Sequence, residues 1–230
     1  MNVFDIIGPV MIGPSSSHTA GAVRIGRTGL GILGEVVRRA DIGLAGSFAQ
    51  TYRGHGTDRA LIAGLLGMFP DDERIRDSFD VARKQGLEFT INEVKIPRAH
   101  PNTAKLHLVG ASGKECALQG ASIGGGNILI HSVNEMETEF SSEADTLIIA
   151  HKDMPGMIAE VTSLMAEHGV NIGNFKLSRP HKGFQAVMTV EIDGRMQEPA
   201  IAKLRELPHI EGVVYLRANE AKEDKEDKNE

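Results

Sequence analysis

The sequence has one cysteine, no tryptophan, and aromatic residues at only 4% of its 230 positions. The single thiol, Cys116, excludes an internal disulfide framework and any cysteine-rich metal site built from this chain alone. With so few rings, the core has to be aliphatic. No stretch approaches the roughly 18 uninterrupted apolar residues that a membrane span requires. The N-terminus lacks a basic segment followed by an apolar one, so the chain reads as cytoplasmic. Positive charge is short as well: 25 Lys and Arg against 31 Asp and Glu leave a net charge of −6, which argues against a nucleic-acid footprint. Part of that charge is local, because EAKEDKEDKNE (220–230) holds six acids and three lysines and reads as a solvated, disordered tail.

What remains, 41% hydrophobic and 24% charged, is the composition of a soluble globular protein. The length suggests two domains, since domains cluster at roughly 100 to 150 residues. In the first, AGAVRIGRTGLGILGEVVRRA (20–40) reads as a helix whose interior glycines, Gly26, Gly29, Gly31 and Gly34, allow close approach of a neighbouring backbone. IGLAGSFAQT (42–51) reads as a strand, TDRALIAGLLGMF as a second helix, and DDERIRDSFDVARKQG as a third with Gly86 past its end. From LEFTINEVKIP onward the pattern is β, through TAKLHLVG, ECALQGAS and GNILIHSV. The acidic, weakly periodic EMETEFSSEAD (135–145) is the natural boundary. Beyond it TLIIAH, PGMIAEVTSLMAEHG, VNIGNFKLS, FQAVMTVEI, EPAIAKLREL and GVVYLRA give the order βαββαβ, a split-βαβ arrangement, with Phe184, Ala186, Met188, Val190 and Ile192 on one side by alternation. The fold class is α+β in both parts. The expected division is 1–140, 145–218, and the tail 219–230.

Five stretches invite a chemical reading. In GPSSSHTAG (13–21), one hydroxyl is enough to cap a helix, and Ser15, Ser16, Ser17 and Thr19 exceed that need. Hydroxyls and free N–H groups before a helix can grip a small carboxylate, with His18 able to move a proton. A Ser/His hydrolase is a poor fit, because serine and histidine share one turn with no G-x-S-x-G elbow. In GSFAQTYRGHGTDRA (46–60), His55 lies between glycines, Thr57 suits a helix N-cap, and Asp58 falls in the first turn. GASIGGGNI (120–128) can form an anion nest from Gly124, Gly125 and Gly126 or simply a tight strand connection, while HPNT (100–103) reads as an exposed turn with His100 and Asn102. Asp153–Gly156, DMPG, can be a well-made strand-to-helix turn with Pro155 at the first helical position, or an anion site at a helix N-terminus. Cys116 reads as a buried apolar residue.

IIAHKDMPGMIAEVTSLMAEHGVNIGNFKLSR resembles an ACT domain, a ferredoxin-like regulatory module, over about residues 145–218. The resemblance implies effector contacts at Asp153, Gly156 and Met157 and at Asn171 and Ile172, and pairing of two such domains. FDIIGPV, GPSSSHTAG, GSFAQTYRGHGTD, HPNT and ASIGGGNI, in that order before an ACT domain, resemble the β chain of the bacterial iron-sulfur L-serine dehydratases. What that resemblance implies is PLP-independent elimination of water from L-serine to give pyruvate and ammonia, assisted by a [4Fe-4S] cluster and, by analogy, K+. A cluster needs about three or four thiolates, so one cysteine cannot hold it. The cluster is then expected on a separate α subunit, with no metal held by this chain. By the same resemblance Ser15, Ser16, Ser17 and Thr19 face the substrate, and His55 and His18 are the proton-transfer candidates. The first domain also resembles the small-anion-binding domain of some phosphoglycerate dehydrogenases. The competing class is a stand-alone amino-acid-binding regulator without a catalytic partner.

Overall fold

The computed structural model describes residues 11–141 and 143–218. FDIIGPV near the start and the acidic tail lie outside them. The chain divides into two units, Met1–Glu135 and Met136–Glu230.

The first unit opens with a six-residue π-helical turn, Ser16–Gly21, that runs straight into helix α1, Ala22–Leu33. The helix ends earlier than its sequence pattern suggests. Gly34 is not an interior position but a left-handed cap (φ 74°), its N–H donating to the Leu30 carbonyl. The β-branched pair that follows suits an extended chain, so VVRRA feeds strand β1, Val37–Ala45, instead of continuing the helix. The strand in turn stops at Ala45, and SFAQT is the start of helix α2, Gly46–His55. Gly46 makes that bend: its φ is +57°, and a Cβ there would lie 2.6 Å from the Pro101 carbonyl oxygen. Helix α3 spans Thr57–Leu65, a 3₁₀ turn Glu73–Asp77, and helix α4 Ser78–Gln85, closed by Gly86 as expected. Strands β2 (Glu88–Glu93), β3 (Thr103–Gly110), β4 (Glu115–Gly124) and β5 (Asn127–Val133) complete a sheet of order β2-β1-β3-β4-β5. The β1/β2 pair is parallel and the other neighbours antiparallel.

One face of this sheet carries Ala40, Ile42, Leu44, Leu106, Leu108, Leu118, Ile128 and Ile130, all buried. Helix α1 lies on it, with Gly29 against Leu106, Leu108 and Leu118. Each fully buried aliphatic side chain contributes about 1.5 to 3 kcal/mol. Helices α1 and α3 meet backbone to backbone: a Cβ at Gly26 would sit 2.4 Å from the Leu61 carbonyl oxygen, and one at Gly64 would sit 2.2 Å from that of Val23. These two helices follow the two histidine motifs, so their contact fixes how the motifs face each other.

The second unit begins with a strand, β6 (Met136–Phe140), where the sequence reads as a polar boundary. Its buried side is a threonine and one phenylalanine, too little apolar character to signal a strand; Thr138 is held by a hydroxyl-to-hydroxyl bond to Thr189 of 2.5 Å. Then follow β7 (Asp145–Lys152), α5 (Met157–Glu167), β8 (Asn171–Ser178), β9 (Gln185–Asp193), α6 (Glu198–Glu206) and β10 (Ile210–Leu216), the expected βαββαβ. The sheet order is β10-β7-β9-β8, antiparallel throughout. Leu147, Ile149, Val161, Met165, Met188, Val190, Ile192 and Leu204 form the core beneath α5 and α6. Ala186, Met188, Val190 and Ile192 alternate inward as expected, but Phe184 lies before the strand and is 71% exposed. Helix α5 starts at Met157 with Gly156 as its cap, so Pro155 precedes the helix and does not occupy its first position.

Candidate active site

Ser15 caps the π-helical turn, its Oγ accepting the His18 backbone N–H at 3.3 Å. The same turn folds hydroxyls back onto the imidazole: Ser15 Oγ and Ser17 Oγ lie 3.3 and 3.2 Å from His18 Nδ1. Ser16 enters none of these bonds. On the other side of the ring, Ser47 Oγ, from the first turn of α2, is 3.4 Å from Nε2. Both ring nitrogens thus face hydroxyls, which can donate or accept, so either neutral tautomer is satisfied without rearrangement. Phe48 supports the ring edge-on at 5.2 Å between centroids, and the His55 ring stands 4.9 Å away. The two motif histidines, distant in sequence, are neighbours in space.

The scaffold explains how. Ala45, Thr103 and Ala121 lie side by side across β1, β3 and β4, which aligns the ends of those strands. Just beyond, the Asn102 carbonyl accepts the Ser122 N–H at 3.0 Å, and the Pro101 carbonyl accepts the Phe48 N–H at 3.2 Å. HPNT is therefore a support for the start of α2, and Asn102 is partly buried and not the exposed turn residue its sequence suggests. The serine-rich turn rests on β4 so closely that a Cβ at Gly21 would lie 2.1 Å from Ser122 Oγ. Thr19 points inward and is 2% exposed.

Burial pulls the His18 pKa below the ordinary histidine value, and repulsion from a charged His55 lowers it further. Both effects favour the neutral ring. Around the two histidine motifs, five buried polar atoms have no hydrogen-bond partner among the described residues: Thr19 Oγ1, His55 Nδ1, Thr57 Oγ1, Asn102 Oδ1 and Ser122 Oγ. Left without water or a ligand, each would cost about 1 to 3 kcal/mol, so their concentration marks a polar spot that water or a ligand can satisfy. Thr57 is not the cap of α3; Gly56 is, and Thr57 is wholly buried as the first helical residue. Asp58, 8% exposed, keeps its place in the first turn. Desolvation raises its pKa, opposed by the Arg59 backbone N–H and by the charges of Arg59 and Arg53.

Cys116 lies in β4 at 2% exposure, and burial pushes its thiol up to about 11. Among the described residues no group of three or more His, Cys, Asp or Glu side chains is placed to hold a metal ion. One inert thiol does not fit an iron-sulfur cluster. Gly124, Gly125 and Gly126 form the tight hairpin between β4 and β5, and the Gly126 carbonyl accepts from Arg24 at 2.7 Å.

In the second unit Asp153 is engaged by its own chain, accepting from Arg179 at 3.1 Å and from the Gly183 N–H at 2.8 Å, which hold its pKa below the usual range. Met157 is 2% exposed and belongs to the core, against which Ile172 also packs. Asn171 donates to Asp193 at 2.5 Å, and Gly156 caps α5 in the left-handed region. Sequence reasoning passed over Ser47 and Ser122. The signal for Ser47 was a Gly-Ser pair where an apolar strand pattern stops, and Ser122 gave none.

The serine dehydratase beta chain family matches residues 2–84, and the ACT domain family matches residues 146–209. The probable L-serine dehydratase beta chain of Bacillus subtilis is 42% identical over 215 residues, covering 94% of this chain and 97% of its own. The L-serine dehydratase beta chain of Peptoniphilus asaccharolyticus is 37% identical over 86% of this chain and 89% of its own. A D-3-phosphoglycerate dehydrogenase of Methanocaldococcus jannaschii is 28% identical over 56% of this chain but only 24% of its own. The near full-length relatives thus include both the unit that joins His18 to His55 and the ACT unit, and on that ground the chain belongs to the serine dehydratase beta chain family.

Proposed function

We propose that this chain is the β subunit of an L-serine dehydratase, which removes the α-proton and the β-hydroxyl of L-serine to give aminoacrylate, whose tautomerisation and hydrolysis yield pyruvate and ammonia. The observation that carries this reading is the pairing of His18 and His55, 4.9 Å apart between ring centroids, with three serine hydroxyls around one ring. His55 is the proton acceptor. Its neighbour, kept neutral by burial, adds no positive charge against the arriving proton, and once His55 is charged His18 is less able to charge as well. Ser15, Ser17 and Ser47 fix the His18 ring, while Ser16 and Thr19 complete the turn that faces substrate.

A [4Fe-4S] cluster would supply the Lewis acid for the leaving hydroxyl, and with one cysteine in this chain it would be held by the α subunit. Potassium acts as an activator in the same reading. The reaction is placed in the cytoplasm in the same reading; no described helix is long and apolar enough to cross a membrane. The ACT units pair between two copies of the chain. A stand-alone regulator is not favoured, since a sensor would require only the ACT unit. In the enzyme assembled with its α subunit, His55→Ala is expected to lose about 10²- to 10⁴-fold in turnover, the usual contribution of a positioned base. Near-normal turnover would remove His55 from the chemistry.

A further inference from the structure

Next to the histidine pair is a cleft of about 380 Å³ whose wall includes Thr19, His55, Gly54, Arg53, Arg59 and Arg76. Three arginines from three elements, the end of α2, the first turn of α3 and the 3₁₀ turn, line one small opening, the Arg53 guanidinium lying over the Tyr52 ring at 5.4 Å and that of Arg59 over Phe79 at 5.3 Å. None of the three is within ion-pair distance of a carboxylate among the described residues. Asp58, a buried carboxylate in the first turn of α3, feels the charges of Arg59 and Arg53. The described lining of the cleft includes these three arginines and no carboxylate. Arg59 spends one donor on the Arg76 carbonyl and Arg53 one on the Tyr52 hydroxyl at 3.1 Å. A guanidinium has five donors, so both keep free edges for an anion. The wall is also open where a ligand would pass: a Cβ at Gly54 or Gly56 would meet nothing within 4 Å. Two polar atoms of the same wall residues, Thr19 Oγ1 and His55 Nδ1, have no partner.

We propose that this arginine-lined cleft is a carboxylate subsite, in which Arg53 and Arg59 hold the α-carboxylate of the amino-acid substrate and so present its Cα to His55. The assignment rests on the dehydratase reading and moves the grip on the carboxylate from the serine-rich turn to the arginines. It separates the roles of the two motifs: the hydroxyls of the turn orient His18, and the charge that selects an amino acid comes from the residues flanking His55.

The test uses the full chain and the enzyme assembled with its α subunit. With the chain alone, sodium acetate is titrated against sodium chloride at equal ionic strength while the histidine ring resonances are followed by NMR. Acetate is expected to shift His55 saturably and to leave His168 of the second unit unmoved. Arg59→Gln and Arg53→Gln should weaken that response at least about tenfold each, the loss of a charge-assisted hydrogen bond. Gly54→Leu, which leaves every charge in place and fills open space, should block it. In the assembled enzyme Arg59→Gln should raise KM for L-serine by roughly 10- to 100-fold with a smaller change in kcat. A His55 resonance that ignores acetate, or arginine variants that titrate as the wild type does, overturns the subsite. If acetate binds in an arginine-dependent way while the wild-type assembly fails to dehydrate L-serine, the site stands and the dehydratase reading falls.

Discussion

Gly26→Ala is the substitution through which the packing argument is most exposed. The added methyl would lie 2.4 Å from the Leu61 carbonyl oxygen and 3.0 Å from the Gly64 Cα, and both obstacles are helix backbone that no rotamer change can clear. Restoring an ordinary contact requires α1 and α3 to separate by about 1 Å. Overpacking of this kind costs about 1 to 3 kcal/mol, and rigid backbone on both sides places the cost near the top of that range. Alanine recovers up to about 1 kcal/mol in helix propensity, which leaves a net loss near 2 kcal/mol. That corresponds to a fall of roughly 5 to 10 °C in the midpoint of the first unit, measurable by calorimetry on the full chain. The matched control is Gly54→Ala, also helical but with nothing within 4 Å of the new methyl, which should raise the midpoint slightly. Because α1 carries His18 on its leading turn and α3 follows His55, turnover in the assembled enzyme should fall with Gly26→Ala. A Gly26→Ala midpoint at or above that of the wild type would refute the backbone contact and the geometry built on it.

Ser47→Ala removes the hydroxyl facing His18 Nε2 while leaving the Nδ1 contacts intact. The pH profile of the assembled enzyme should shift while Ser47→Thr restores it, and an unchanged profile would dismiss Ser47 as a positioning residue. Cys116, buried with its thiol near 11, should resist a disulfide reagent at pH 8 until the chain is unfolded; rapid labelling of the native chain would contradict the described β4. The depressed pKa of His18 has a definite sign: the unfolded chain binds the proton more readily, so stability is full above the ordinary value of 6.5 and declines as pH falls through the lowered one. An NMR titration should place the His18 midpoint below 6.5, and His18→Gln should flatten the decline in stability on that acid side.

Much of the fold was legible because its signals are local and periodic. The βαββαβ order of the second unit follows from alternation in β9 and a helical period in α5. Gly86 ends α4 where a cap residue is expected. What was not legible depended on distance or on backbone geometry. A run of small and apolar residues from Ala20 to Leu33 continues into VVRR without a break in hydrophobicity, and only the left-handed conformation of Gly34 divides helix from strand. Gly46 divides strand from helix because Pro101, far along the chain, leaves no room for a side chain. The site shows the same split. His18 and His55 stand out through their motifs, whereas Ser47 and Ser122 come to the serine-rich turn only once β1, β3 and β4 are laid side by side, and the three arginines share one cleft only once α2, α3 and the 3₁₀ turn are folded together. The glycine triplet, which could be an anion nest, is a hairpin turn whose last carbonyl engages Arg24.

The central claim is that this chain supplies half of an active site. It is tested most directly by anaerobic pyruvate release from L-serine, measured with the purified chain alone, with an iron-loaded cysteine-bearing α subunit alone, and with the two mixed. The account predicts release only from the mixture, and its loss with His55→Ala. Release by this chain alone, or none from a mixture whose α subunit is verified to hold its cluster, would contradict it.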